Sequence, residues 1–184
     1  MKITPSALPE VLILEPRVFP DARGHFFESW QQERYAEAGI AGPFVQDNVS
    51  RSVRGTLRGL HFQEPDAQGK LVTVLTGRIF DVAVDIRRGS PRFGQWIGTT
   101  VDAAQPRQIW IPPGFAHGFC ILSDTADFMY KCTEYYRPDS ERSIRWDDPG
   151  IAIDWPVVDP LLSGKDAVAP PLSEASILPD YHGT

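Results

Sequence analysis

The chain has 184 residues, of which 42% are hydrophobic and 23% charged, a composition that predicts one ordinary globular domain over 1–184 and excludes a largely disordered protein. Its net charge of −6 excludes a general binder of nucleic acid or of anionic membranes, because both need a basic surface. The sequence has no signal-peptide pattern and no apolar run of the roughly 18 residues that span a membrane, so we expect a cytoplasmic protein.

Prolines and glycines, 17 and 15 in number, divide the sequence into short segments rich in β-branched and aromatic residues, which is typical of an all-β domain. In chain order, a strand is predicted at 11–14, a turn at 20–24, one short helix at 31–38 and a second strand at 44–50. Gly39 suits the left-handed C-cap of that helix. Further strands are predicted at 71–76, 79–86, 94–101, 108–111, 118–122, 127–135 and 143–146.

Segments 71–76 and 79–86 are predicted to form a hairpin, because only Gly77 and Arg78 separate them. Within 79–86, apolar residues at even positions alternate with Asp81, Ala83 and Asp85, so the two sets are expected on opposite faces. About nine or ten strands in one domain favour a closed or double-sheet antiparallel architecture. From about 156 onward the sequence is Pro-rich, which predicts an irregular tail wrapped over the barrel.

The sequence has two cysteines and four histidines, of which His61 and His117 lie in segments that could carry chemistry. Cys120 and Cys132 lie among apolar or β-favouring residues and are predicted to be free thiols in the core. His61 lies between apolar neighbours in 58–63, where an imidazole is either a base or a hydrogen-bonded core residue. His117 follows a Pro-Pro-Gly turn, as in the second half of a cupin motif. Two histidines are too few ligands for a divalent ion, so no metal site is predicted.

Five segments, taken together and in order, resemble the dTDP-4-dehydrorhamnose 3,5-epimerase family, and the resemblance runs from about residue 11 to 171. These segments are Arg58–Gln63, Gln68–Val72, Phe80–Arg87, Trp110–Phe119 and Tyr130–Thr133. The resemblance implies an antiparallel jelly-roll (cupin-like) barrel and a homodimer. It also implies conversion of dTDP-4-dehydro-6-deoxy-D-glucose to dTDP-4-dehydro-L-rhamnose, in dTDP-L-rhamnose biosynthesis, without a metal or an organic cofactor.

The resemblance further implies a set of catalytic roles. His61 is the base that removes a proton next to the C4 ketone, and Asp166 orients its ring. Lys70 lies near the C4 oxygen and offsets the charge of the enolate, while Tyr130 is the general acid on the opposite face. Without the resemblance, Asp166 reads as a surface loop residue, Lys70 as a solvated lysine and Tyr130 as a core aromatic.

The dTDP half of the implied substrate needs positive charge, which side chains must supply because the sequence has no glycine-rich phosphate loop. By resemblance, Arg58 contacts phosphate and Tyr136 stacks on thymine. Arg23 and Glu28 match residues near the nucleotide that the partner subunit supplies. The remaining matched substrate contacts are Gln46, Asp47, Asn48, His117, Glu141 and Lys165.

Two alternatives stay open. One is a monofunctional 3- or 5-epimerase, or a ketoisomerase, on the same barrel; the presence of Tyr130 favours epimerisation at both carbons. The other is a non-catalytic cupin that binds a nucleotide sugar or a metal. Solvent-proton exchange and product analysis distinguish all three.

Overall fold

The structure is a computed structural model that describes residues 1–40 and 42–183. The described residues form thirteen strands and two short α-helices, α1 (Gln32–Ala36) and α2 (Gly164–Ala167). The strands are β1 (Lys2–Pro5), β2 (Leu12–Glu15), β3 (Val18–Asp21), β4 (Gly24–Phe27), β5 (Gln46–Val53), β6 (Leu57–Gln63), β7 (Lys70–Thr76), β8 (Arg78–Asp85), β9 (Trp96–Asp102), β10 (Gln108–Ile111), β11 (Phe115–Ile121), β12 (Thr125–Cys132) and β13 (Glu141–Ser143). Single 3₁₀ turns lie at Pro138–Ser140 and Leu172–Glu174.

Two antiparallel sheets form the walls of a jelly-roll barrel. The six-stranded sheet has the order β1-β2-β10-β7-β12-β5, and the five-stranded sheet has the order β13-β6-β11-β8-β9. Strands β3 and β4 form a separate hairpin. The predicted all-β antiparallel barrel is therefore confirmed. The described residues contain no helix long and apolar enough to cross a membrane.

Buried side chains form three hydrophobic clusters that hold these layers together. The first fills the space between the sheets and includes Val72, Phe119 and Phe128. The second covers the outer face of the five-stranded sheet, where residues of the C-terminal segment, among them Leu162 and Leu172, pack against it. The third lies between the six-stranded sheet and α1.

The predicted elements are mostly present, with shifted ends. Helix α1 is shorter than predicted, since Gln31 accepts a hydrogen bond from the Arg34 amide and acts as its N-cap. Gly39 has the predicted left-handed conformation, with φ of +80°. Both cysteines are buried and free, as predicted. The strand count exceeds the prediction because β1, β3 and β4 are short and largely exposed, and so carry no clear apolar pattern.

The predicted hairpin of 71–76 with 79–86 is wrong. Strand β7 pairs with β10 and β12, whereas β8 pairs with β9 and β11, so the chain crosses from one sheet to the other at Gly77. Gly77 has φ of +77°, and a Cβ there would lie 2.2 Å from the Thr125 carbonyl oxygen. A glycine turn marks a corner between two sheets as readily as a hairpin, because both need the same backbone freedom.

Candidate active site

A cavity of about 510 Å³ opens between the two sheets and brings together seven residues predicted for the site. They are Arg58, His61, Lys70, His117, Tyr130, Glu141 and Lys165. Another cavity, of about 420 Å³, lies between Arg87 and segment 178–183 and contains none of the predicted residues. Half of the residues predicted for the site therefore lie at the cavity between the sheets.

His61 projects from β6 into this cavity, and Asp166 makes a hydrogen bond with its ring. The His61 Nε2 and Asp166 Oδ1 atoms are 2.5 Å apart, and the Asp166 side chain is 2% exposed. Asp166 lies on α2, whose first turn is capped by the Ser163 hydroxyl. Burial alone would raise the pKa of Asp166, but the hydrogen bond with His61 and the charge of its ring lower it overall. The ionised carboxylate leaves the second ring nitrogen of His61 available as a base.

A close approach of β6 and β11 places a second histidine beside the first. Gly59 has φ of +129°, and a Cβ there would lie only 2.5 Å from the Cα of Gly118. The register of the two strands shifts between His117 and Phe119, and His117 lies directly opposite His61. The glycine of the 58–63 segment is thus needed for the site itself, since a side chain there would push the strands apart.

His117 has its own carboxylate partner. Its Nε2 atom lies 2.8 Å from Asp81 Oδ2, and both side chains are buried. Asp81 comes from β8, where the predicted alternation is confirmed: Val82 and Val84 pack on the outer face, and Ala83 packs between the sheets. Asp81 therefore lies on the inward-facing side of β8 and fixes the orientation of the His117 ring.

Lys70 and Tyr130 approach the cavity from the six-stranded sheet. They lie on neighbouring strands β7 and β12, where Lys70 pairs with Cys132 and Tyr130 pairs with Val72. Lys70 is 9% exposed, and burial lowers the pKa of its ammonium group. Burial also raises the pKa of Tyr130 to about 12, so its phenol stays protonated at neutral pH. The cavity therefore has two histidines on one wall, and a lysine and a protonated phenol on the other.

The mouth of the cavity carries charged and aromatic groups. Lys165 Nζ donates to Glu141 Oε1 at 2.7 Å, and the Tyr136 hydroxyl donates to Glu141 Oε2 at 3.2 Å. Burial would raise the pKa of Glu141, but the hydrogen bond from Lys165 and its charge lower it. The Arg58 guanidinium donates from Nε and Nη2 to the Ser52 hydroxyl, at 3.3 and 3.1 Å.

The predicted binding segment 46–48 lies at the exposed end of edge strand β5, and its side chains bond to protein groups. Gln46 accepts from the Tyr136 amide at 2.8 Å and donates to Asn48 at 3.0 Å. Asn48 also donates to Cys132 Sγ at 3.6 Å, and Asp47 pairs with Lys131 at 2.8 Å. The segment thus supports the rim of the cavity and holds Tyr136 in place.

Seven of the fourteen predicted residues do not line the cavity of this chain. Asp166 and Tyr136 bond to residues that line it and segment 46–48 supports its rim, whereas Arg23 and Glu28 bond elsewhere. Arg23, at the tip of the β3–β4 hairpin, bonds to Asp21 and has a side chain 91% exposed. Glu28 bonds to Arg34 at 2.6 Å and borders a separate cavity of about 370 Å³. Their assignment to a partner's site stays a prediction.

Sequence reasoning missed several residues that line the cavity, namely Val49, Ser50, Arg51, Phe119 and Phe128. Two of them could have been predicted from the alternation of side chains between the two faces of a strand. Phe119 lies two residues beyond His117, and Phe128 two residues before Tyr130, so each shares a face with a predicted site residue.

An imidazole–carboxylate pair facing an ammonium and a phenol in a jelly-roll barrel defines a general acid–base site. A family model described as dTDP-4-dehydrorhamnose 3,5-epimerase matches residues 5–174, and the chain belongs to that family of isomerases. The family predicted from the sequence is confirmed.

Individual relatives agree with the family match. A dTDP-4-dehydrorhamnose 3,5-epimerase of Pseudomonas aeruginosa is 55% identical over 97% of this chain and 100% of its own length. A dTDP-4-dehydrorhamnose 3-epimerase of Streptomyces niveus is 41% identical over 98% of this chain and 90% of its own. The crystal structure of a 3,5-epimerase of Legionella pneumophila, in complex with dTDP-4-keto-L-rhamnose, has a TM-score of 0.97 and 54% identity, and the match covers 99% of both chains.

Proposed function

We propose that this protein converts dTDP-4-dehydro-6-deoxy-D-glucose to dTDP-4-dehydro-L-rhamnose by epimerisation at C3 and C5. The observation that carries the proposal is the position of His61 and Tyr130 on opposite walls of one cavity. Inverting a carbon next to a ketone requires removal of a proton from one face and delivery of a proton to the other. A base on one wall and an acid on the other can each reach one face of that carbon.

In the proposed reaction, His61 takes the proton from the carbon next to the C4 ketone. The electrons of the broken C–H bond move to the C4 oxygen, which becomes an enolate. The Lys70 ammonium stabilises this oxyanion, and does so strongly because burial removes competing water. Asp166 stabilises the imidazolium that forms on His61.

Tyr130 then donates its phenol proton to the same carbon from the other wall, and the enolate returns to a ketone with inverted configuration. The phenolate takes a proton from solvent and the imidazolium releases one, which restores both residues. The sequence is carried out once at C5 and once at C3. Each inverted carbon therefore acquires a hydrogen that solvent supplies.

For the nucleotide, we propose that Arg58 binds the diphosphate and that Tyr136 stacks on thymine. Arg58 is exposed at the cavity, and Tyr136 is held at its rim by Gln46 and Glu141. Guanidinium groups bind phosphate oxygens through paired hydrogen bonds, which suits an acidic protein that holds an anionic ligand. Gln46, Asp47, Asn48, His117, Glu141 and Lys165 complete the proposed binding set.

A homodimer is part of the proposal. Val53 and Leu75 are exposed on the outer face of the six-stranded sheet, and Phe19 and Phe26 are exposed on the β3–β4 hairpin. Exposed apolar groups of this size favour burial against another protein surface. The same hairpin carries Arg23, which in a dimer would approach the partner's cavity together with Glu28. Sedimentation velocity of the pure protein tests this, and a monomer at micromolar concentration would contradict it.

The two thiols bear on the compartment in which we propose that the protein works. Cys120 and Cys132 are buried and unpaired, which suits a reducing compartment such as the cytoplasm.

The experiment that tests the proposed reaction is NMR analysis of the product formed from dTDP-4-dehydro-6-deoxy-D-glucose. We expect the L-rhamno configuration, with C3 and C5 both inverted. The 3-epimerase of Streptomyces niveus, 41% identical to this chain, makes a single-centre epimerase the second candidate. Inversion at C3 alone would support that second candidate, and binding without turnover would contradict both.

A further inference from the structure

Arg58 is held by a neutral hydroxyl group instead of a carboxylate. Its Nε and Nη2 atoms lie 3.3 and 3.1 Å from the Ser52 Oγ atom. Ser52 is 7% exposed, and its hydroxyl lies 3.5 Å from that of Ser50, on the same face of β5. Because β5 and β6 belong to different sheets, this contact links the two walls of the cavity.

The choice of partner matters for the charge that Arg58 presents. Arg23, Arg54 and Arg87 each bond to a carboxylate, which offsets their positive charge within the protein. Among residues 1–40 and 42–183, no carboxylate lies within 4.0 Å of the Arg58 guanidinium. A serine hydroxyl can orient the group while its full charge remains available to a ligand.

The geometry of the contact also determines which donors remain. Ser52 occupies Nε–H and one hydrogen of Nη2, whereas Nη1 and the second hydrogen of Nη2 bond to no group in the part of the chain that the structure describes. Those remaining hydrogens form one edge of the guanidinium plane, the edge that binds two oxygens of a phosphate in parallel. An exposed arginine without such an anchor would have to lose rotamer freedom on binding.

We propose that Ser52 is a positioning residue, which orients Arg58 to bind the diphosphate of the substrate. The inference rests on the proposed function, in which Arg58 contacts phosphate. It adds a residue on β5 that does not itself touch the substrate, and it explains why the inward-facing side of an edge strand carries a buried hydroxyl at that position.

The test is a double-mutant cycle on binding of dTDP, measured by calorimetry with wild type, Ser52→Ala, Arg58→Ala and the double variant. We expect Ser52→Ala to weaken dTDP binding about fivefold in the presence of Arg58, and less than about 1.5-fold in its absence. Binding of thymidine, which has no phosphate, should be unchanged by Ser52→Ala. In turnover, KM should rise by a similar factor while kcat stays within about twofold.

Two further variants separate positioning from a general effect on the fold. Ser52→Thr keeps the hydroxyl and should restore dTDP affinity. Ser90→Ala removes another buried hydroxyl, one that bonds to Asp85 and lies outside the cavity, and should leave dTDP affinity unchanged. Equal weakening of dTDP and thymidine binding by Ser52→Ala would overturn the inference.

Failure of this inference is distinguishable from failure of the proposed function. If Arg58→Ala weakens dTDP binding and Ser52→Ala does not, Ser52 has no positioning role and the proposed phosphate contact stands. If Arg58→Ala leaves dTDP binding unchanged, the phosphate contact is wrong and the role of Ser52 is wrong with it.

Discussion

Replacement of Asp166 by asparagine separates the charge of this residue from its shape. The carboxylate is 2% exposed and lies 2.5 Å from His61 Nε2, and an asparagine side chain of nearly equal volume fits the same space. The amide oxygen can still accept a hydrogen bond from the ring. What is lost is the negative charge that, in the proposed reaction, stabilises the imidazolium formed when His61 takes the substrate proton.

The size of the effect follows from the strength of a hydrogen bond between charged groups. Such a bond contributes about 1.5–3 kcal/mol, and each ~1.4 kcal/mol changes a rate about tenfold. Asp166→Asn should therefore slow proton abstraction about 10- to 150-fold. His61→Ala removes the base itself and should slow proton abstraction ~10²- to 10⁴-fold.

The assay is the initial rate of solvent-deuterium exchange at C3 and C5 in D₂O, followed by NMR for wild type, Asp166→Asn and Asp166→Ala. Asp159→Asn, an exposed carboxylate in the same C-terminal segment, is the matched control and should exchange at the wild-type rate. Unfolding midpoints and dTDP affinity show whether each variant keeps its fold. An Asp166→Asn variant that is folded and exchanges at the wild-type rate would refute the assigned role.

Three further outcomes are expected. Tyr130→Phe should slow completed epimerisation more than proton abstraction, so the ratio of epimerised product to exchanged substrate should fall; an unchanged ratio contradicts an acid role for the phenol. Since burial lowers the pKa of Lys70, the rate should decline on the alkaline side before pH reaches 10.5, and Lys70→Arg should move that decline upward. Burial raises the pKa of Tyr130 to about 12, so its ionisation does not produce this decline. Gly59→Ala should lower the free energy of unfolding by about 2–4 kcal/mol, because its Cβ would lie 2.5 Å from the Cα of Gly118; urea denaturation measures this, and a change below about 0.5 kcal/mol contradicts it.

Local signals predicted most of the fold. Turn residues and alternation located the main strands, and β10 has the predicted bounds of Gln108–Ile111. The predicted hairpin at Gly77 was wrong. A glycine at a turn determines only the local backbone conformation, whereas the sheet that the next strand joins depends on pairing with strands far along the chain. Thr125, whose carbonyl faces Gly77, is such a distant neighbour.

The site required information that local signals do not contain. His61 and Asp166 are 105 positions apart, and only the resemblance to a family of epimerases paired them before the structure brought them to 2.5 Å. No motif in the sequence pointed to Ser52, because its contact with Arg58 joins strands of two different sheets. Arg23 and Glu28 do not line the cavity of this chain, and their proposed place in a partner's site comes only from the resemblance.

In the proposed reaction, one cavity inverts two carbons through proton transfer on opposite faces. The most direct test of this reaction is the deuterium content of the product after complete turnover of dTDP-4-dehydro-6-deoxy-D-glucose by the wild-type protein in D₂O, measured by NMR and mass spectrometry. We expect deuterium at both C3 and C5 of an L-rhamno product. Product with deuterium at neither carbon would contradict it.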